Sequence, residues 1–168
     1  SCEWGSTKPF SVGWWAESDG SDVVLANGKV QSTVRGDLFR IAEWYGTTGK
    51  ANQGLQMLAS KVSEGIIERE LAMGLFGRVN AGPADGSIFD VENGNSIAGD
   101  MQKPVRIGGR VYNGANWGRA DKSAGSRKHG WEKVRTFLEH AKKPESGVRE
   151  HPGLFVFNKC NYFLELFP

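Results

Sequence analysis

With 168 residues, the chain has room for one compact domain and a sizeable core, and is too short for two domains of full size. Its 39% hydrophobic and 24% charged residues exclude a disordered chain, and no apolar run approaches the roughly 18 residues of a membrane span. Two cysteines, Cys2 and Cys160, cannot build a disulfide framework or a zinc finger, and no basic-then-apolar leader opens the sequence, so a reduced, intracellular protein is expected.

The pattern predicts strands first. Cys2–Trp4 is short and β-like, and Phe10–Ala16 is rich in aromatic and β-branched residues. Asp19-Gly20 and Asn27-Gly28 are hairpin turn signals, and Leu38–Tyr45 reads as a third strand closed by Gly46. The first 46 residues therefore read as an antiparallel meander. In Asn52–Leu71 the period changes: Leu55, Leu58, Ala59, Val62 and Ile66 recur at helical steps. Arg78–Ala84 follows as a strand, with Pro83 marking a strand end rather than a central ladder position. A short helix is expected over Ser96–Met101, a hairpin or flexible loop over 104–118, and a strand over Trp117–Ala120. Trp131, Val134, Phe137, Leu138 and Ala141 mark a second long helix, capped by Ser126. Leu154–Phe157 reads as a buried strand and Asn158–Phe167 as the start of a last helix. With 23 glycines, about twice the usual ~7%, a helical bundle is disfavoured.

The order β-β-β-α-β-α-β-α-β-α predicts a mixed α/β sheet: three antiparallel strands, then parallel strands, with helices on both faces. Functional residues in such sheets gather at the carboxyl ends of the parallel strands. Asp85 sits at such an end, and Glu3 lies on the first strand, expected centrally beside it. The chain begins without Met and ends directly after an apolar stretch, which reads as a segment of a longer protein.

The net charge of +2 is unevenly spread. Lys103 to Lys143 carries eleven Lys/Arg against three acids, and the remainder is acidic. A basic segment beside an acidic one suits a protein that grips a polyanion while holding cations with carboxylates. The alternative is a solvated basic surface without a partner.

Nucleophile chemistry is poorly supported. His129, His140 and His151 lie in the C-terminal third, none near a Gly-x-Ser-x-Gly elbow, and His129 and His151 are expected in loops. Gly46-Thr-Thr-Gly-Lys50 lacks the spacing and the Ser/Thr of a phosphate loop. Trp14 and Trp15 fall on opposite strand faces, which favours core packing over base stacking. Acids on neighbouring strands are the better lead. Carboxylates a few ångström apart repel unless a divalent cation lies between them, and such a cation can drive phosphodiester hydrolysis. Glu3 and Asp85 are the candidate ligands, against a reading as a surface Glu and a turn or N-cap Asp. Asp90, Glu92 and Asp121 are runners-up at the site's periphery.

Four stretches then carry a resemblance: Glu3-Trp-Gly-Ser-Thr-Lys-Pro-Phe-Ser-Val-Gly-Trp-Trp-Ala16, Gly82-Pro-Ala-Asp-Gly-Ser-Ile-Phe-Asp-Val-Glu-Asn-Gly94, Ala120-Asp-Lys-Ser-Ala-Gly-Ser-Arg-Lys-His-Gly-Trp131 and His151-Pro-Gly-Leu-Phe-Val-Phe157. In kind and order they resemble the C-terminal nuclease domain of tailed-phage terminase large subunits. The resemblance implies an RNase H-like fold spanning 1–168 as a single nuclease domain. It implies a metal-dependent endonuclease that cuts concatemeric double-stranded DNA during packaging, with little sequence specificity. The family's acids on the first and fourth strands hold two Mg²⁺ or Mn²⁺ ions, and the matching positions are Glu3 and Asp85. Lys122, Arg127 and Lys128, around the Ser-Ala-Gly-Ser loop before a helix, suit DNA phosphates. Implied partners are double-stranded DNA, an N-terminal ATPase motor domain, the small terminase subunit and the portal, in the cytoplasm of a bacterial host carrying a phage or prophage, with no membrane.

The sequence departs from the family at two points. Glu3 stands where the family has Asp in an Asp-Trp-Gly context, and the family's third acid, on a helix near the C-terminus, would lie beyond Pro168. No phosphate loop of the motor is present in these residues. The rival readings are a non-catalytic DNA-binding or docking module with a degraded metal site, and another RNase H-like nuclease such as a resolvase or transposase.

Overall fold

The computed structural model describes residues 1–25, 27–142, 144 and 147–166. Among them the order is β1 (Cys2–Glu3), β2 (Ser11–Glu17), β3 (Val23–Val24), β4 (Val30–Gln31), β5 (Leu38–Tyr45), α1 (Ala59–Ala72), β6 (Gly82–Ala84), a short 3₁₀ turn (Gly86–Phe89), α2 (Ile97–Gln102), β7 (Val105–Ile107), β8 (Arg110–Tyr112), β9 (Trp117–Arg119), α3 (Ser126–Ala141), β10 (Leu154–Val156) and α4 (Asn161–Leu166).

Six strands make one mixed α/β sheet in the order β10-β5-β2-β1-β6-β9. β1 runs antiparallel to β2 and parallel to β6, β6 is parallel to β9, and β10 is parallel to β5. Hydrogen bonds from Ser18 N–H to Asp37 O and from Gly46 N–H to Phe10 O set β2 against β5 in the antiparallel sense. The antiparallel meander expected of the first 46 residues is present, and β1 lies beside β6. Two separate hairpins form, β3–β4 around the expected Asn27-Gly28 turn and β7–β8 within the 104–118 segment expected as a hairpin or loop. The first carries the Asn27-Gly28 turn, where Gly28 takes a φ of 78° and Asn27 Oδ1 accepts from Lys29 N–H.

The chain divides into two compact units, Ser1–Val12 with Tyr45–Asp121 and Gly13–Trp44 with Lys122–Pro168. In the first, Val62, Ile66 and Ile67 of α1 are buried with Phe10, Val12, Ile88, Ala98 and Met101. Each large aliphatic side chain so buried contributes about 1.5–3 kcal/mol. The Ser63 hydroxyl, fully buried, donates to Met101 O at 2.6 Å and accepts from Ala115 N–H at 2.9 Å, so this polar group is satisfied inside the core.

In the second unit, the Arg40 guanidinium lies 4.3 Å from the Phe163 ring centre and 5.3 Å from that of Trp15. It presses against Gly13, where any β-carbon would collide with it. Glu43 accepts the Tyr162 and Phe163 N–H groups at 2.8 and 3.0 Å, which ties α4 to β5. Trp14 is buried and Trp15 is 36% exposed, so the pair does split between faces.

Several boundaries differ from expectation. The helix predicted from Asn52 starts at Ala59; Leu55 and Leu58 continue its spacing but lie outside it, exposed. Asn52 and Gln56 take positive φ there, and Gly54 bridges to Thr47, so that segment is an irregular loop. The strand expected from Arg78 begins only at Gly82, because Arg78 N–H still bonds to Leu75 O in the turn that leaves α1. Pro83 sits in an interior strand, not at a strand end. The adjoining ladder bonds run from Asp85 N–H to Cys2 O and from Ala120 N–H to Ala84 O, so its missing N–H removes neither. Ser126 is the first residue of α3 rather than its cap: Gly125, at φ 84°, holds that position without a side-chain bond. His129 therefore lies within α3 instead of a loop. The last helix is Asn161–Leu166, and Phe167 lies outside the described residues.

Candidate functional site

The site is built from the parallel ladder of β1, β6 and β9. Cys2 stands opposite Ala84, and Ala84 opposite Arg119. Side chains alternate along a strand, and paired residues of neighbouring strands point the same way. Cys2 and Ala84 turn inward and are 5% and 1% exposed. Glu3 and Asp85, one step on, are therefore aimed together at the opposite face. Adjacent strands are about 4.8 Å apart, so the backbones of Glu3 and Asp85 lie side by side at the end of the ladder.

The sequence fixes this locally. Gly86–Phe89 turns away directly after β6, and the Asp85 carboxylate caps that turn, its Oδ1 accepting Ser87 N–H at 3.1 Å. Asp85 is thus both the N-cap and a strand-end acid, so the two sequence readings coincide. Asp85 is half-buried and Glu3 exposed. The Cys2 thiol records their charges: burial above all pushes its pKa up to about 12, and Glu3 and Asp85 push in the same direction against the lowering effect of the N-terminal amine. That thiol is no nucleophile near neutral pH.

The peripheral candidates are placed differently. Asp121 lies two residues beyond the end of β9 and is exposed. Asp90 ends the 3₁₀ turn and faces Arg119, with Oδ1 3.9 Å from Nη2. Glu92 closes a tight turn with Asn95. Lys122, Arg127 and Lys128 are exposed and belong to the other unit. Arg127 and Lys128 lie in the first turn of α3, not before it. Two cations and no acid at a helix N-terminus oppose the helix dipole, a cost that an anion relieves.

Hard carboxylate oxygens are the donors that Mg²⁺ and Mn²⁺ take, and Mg²⁺ is commonly held by one or two carboxylates with water and substrate phosphates completing its shell. Glu3 and Asp85 fit that pattern. Among the described residues, no group of three or more His, Cys, Asp or Glu side chains gathers to hold a metal.

The second unit has a carboxylate of another kind. Asp37 is wholly buried and accepts from Arg149 Nη1 and Nη2 at 2.9 and 2.6 Å, from Val34 N–H at 2.8 Å and from Gly153 N–H at 2.7 Å. Burial pushes its pKa up, but the Arg149 and backbone donors together outweigh that and hold it below the ordinary carboxylate value. Sequence reasoning passed over both Asp37 and Arg119. Arg119 stood in the basic span, but its contact with Asp90 depends on a register that spacing does not reveal.

Among the described residues, no helix is long and apolar enough to cross a membrane. Compared with known proteins, the chain matches no family model, no curated protein and no solved structure.

Proposed function

We propose that the chain is a divalent-metal-dependent endonuclease domain of the terminase large-subunit kind, with an RNase H-like fold, acting on double-stranded DNA with little sequence preference. The observation that carries this reading is the placement of Glu3 and Asp85 on the ends of adjacent parallel strands. The fold assignment is supported by the sheet, in which three antiparallel strands come first and parallel strands are added beside the first of them.

Glu3 and Asp85 would hold Mg²⁺ or Mn²⁺, two ions by the resemblance, with water and DNA phosphate oxygens completing the coordination. Bound there, such ions activate water and stabilise the leaving oxygen of a phosphodiester. The protein's own part is to fix the carboxylates. The β1–β6 ladder sets the two strand ends side by side, and Asp85 Oδ1 accepts from Ser87 N–H at 3.1 Å. Glu3 carries one methylene more than Asp, so its reach is longer and its position less constrained. Lys122, Arg127 and Lys128 would hold DNA phosphates, as the basic first turn of α3 favours. The motor domain, the small subunit, the portal and a host-cell cytoplasmic setting come from the resemblance alone.

Plasmid nicking in Mn²⁺ tests the reading. The chain is expected to nick, and Asp85→Ala to lose at least about 100-fold in rate. Retardation of DNA without nicking would sink the nuclease assignment and favour a binding module. Lys122→Ala with Arg127→Ala is expected to make the log–log salt dependence of DNA binding shallower by nearly two units, read by titration between 50 and 200 mM salt. An unchanged slope removes these residues from the interface.

A further inference from the structure

The second unit brings two of the chain's three histidines together. His140 lies in the last turn of α3 and His151 three residues before β10. Their ring centres are 4.9 Å apart, with the planes at 32°. His140 is half-buried and His151 exposed, so the pair is reached from solvent. Among the described residues, no hydrogen bond or ion pair engages either imidazole.

Both backbones are pinned. Arg149 bonds both oxygens of the buried Asp37, and Gly153 N–H donates to the same carboxylate, so His151 lies in a short span tied down at each end. Leu38 N–H donates to Gly153 O at 2.9 Å, which fastens that span to β5. Pro152 follows His151 and biases it toward extended backbone. On the other side, a β-carbon on Gly153 would meet Ala141 Cα at 2.7 Å, so α3 is pressed onto this span one residue past His140. The approach of the two rings therefore follows from fixed chain segments rather than from loose side chains. Such pre-organisation lowers the ordering cost of anything the pair binds.

Imidazole nitrogens suit Zn²⁺, Ni²⁺ and Cu²⁺, whereas Mg²⁺ and Mn²⁺ prefer carboxylate oxygens. A Zn–N bond of about 2.0–2.1 Å puts the metal about 3.2 Å from the ring centre, so two rings sharing one ion at the tetrahedral angle have centres about 5.2 Å apart. The 4.9 Å between His140 and His151 is close to that spacing. The terminal torsion of histidine is broad, so the nitrogens can be aimed at a shared ion without moving the backbone. We propose that His140 and His151 together bind one Zn²⁺ ion, or another divalent cation of that borderline class, with water completing its shell. The ion clips the end of α3 to the segment entering β10. The nuclease reading gives these histidines no part, so the two stand or fall separately.

Zn²⁺ alone is the probe, titrated by calorimetry at neutral pH with excess Mg²⁺ present to compete at carboxylates. One Zn²⁺ per chain is expected. His140→Ala and His151→Asn should each weaken that binding at least about 10-fold. His129→Ala, which removes the histidine near the other end of α3, should leave it unchanged. Thermal unfolding gives a second readout. Zn²⁺ at about a hundred-fold excess over its Kd should raise the wild-type midpoint by about 5–10 °C, and that of either variant by no more than half as much. Without metal both variants should unfold within a few degrees of wild type, because neither ring belongs to the core. No saturable Zn²⁺ binding, binding that survives both substitutions, or an equal loss in His129→Ala overturns the site, whether or not the chain cuts DNA.

Discussion

Asp37 and Asp85 are both aspartates at the margin of a sheet strand, and their surroundings are opposite. Asp37, just before β5, is sealed from water, and four donors fill its two oxygens. Asp85, just after β6, is half-buried, caps a turn through Ser87, and stands beside the exposed Glu3. The first arrangement consumes a carboxylate to hold chain segments together. The second sets two like charges side by side at strand ends, which a cation can join. Residue type and strand position are shared; what differs is where the hydrogen-bonding capacity goes.

Breaking Asp37 should have the largest effect. Asp37→Ala leaves Arg149 facing a partnerless pocket and removes the acceptor of Val34 and Gly153 N–H, so a loss of about 3–5 kcal/mol is expected in urea unfolding. A loss below about 1 kcal/mol would refute its role as a clamp. The acid limb of stability sharpens the same contrast. The folded pKa of Asp37 is depressed, so its contribution is complete above the unfolded value of about 3.9 and is lost as pH falls through the folded value. Unfolding followed between pH 6 and 2 should fall steeply below about pH 4 in wild type and less steeply in Asp37→Asn.

At the other pole the stability effects are small. Asp85→Asn should cost about 1 kcal/mol at most, the scale of an N-cap. Glu3→Gln, on an exposed side chain, should stay within about 0.5 kcal/mol. These same two substitutions are the ones expected to stop DNA cleavage. A large stability loss from Glu3→Gln would mean that the acid pair is structural after all.

Much of the framework was legible in the sequence. Leu38–Tyr45 is dominated by apolar and aromatic residues and closes on Gly46, and the structure forms β5 over the same residues. Local pattern misled where an apolar spacing ran past its element. Leu55 and Leu58 extend the stripe of α1 on paper, but positive φ at Asn52 and Gln56 keeps that stretch out of the helix. Ser126 is a good capping residue, yet Gly125 takes the left-handed conformation that starts α3. The adjacency of Glu3 and Asp85 was inferred from strand order; their shared face depends on the register of Cys2 with Ala84, which is a property of the folded ladder. The Asp37–Arg149 clamp spans 112 residues and leaves no local trace at all.

That span has a consequence for synthesis. The unit containing Asp37 is assembled from two stretches, Gly13–Trp44 and the chain from Lys122 onward, with the other unit's Tyr45–Asp121 between them. On a ribosome, the donors Arg149 and Gly153 emerge more than a hundred residues after the acceptor. At 5–20 residues per second, adding the stretch from Asp37 to Gly153 takes about 6–23 s. During that interval β5 has neither β10 nor the clamp, and Phe39, which later stacks on Phe155 at 5.1 Å, has no partner ring. The nascent chain therefore carries an unpaired β5 edge until β10 arrives, and that window is where misassembly has its opportunity.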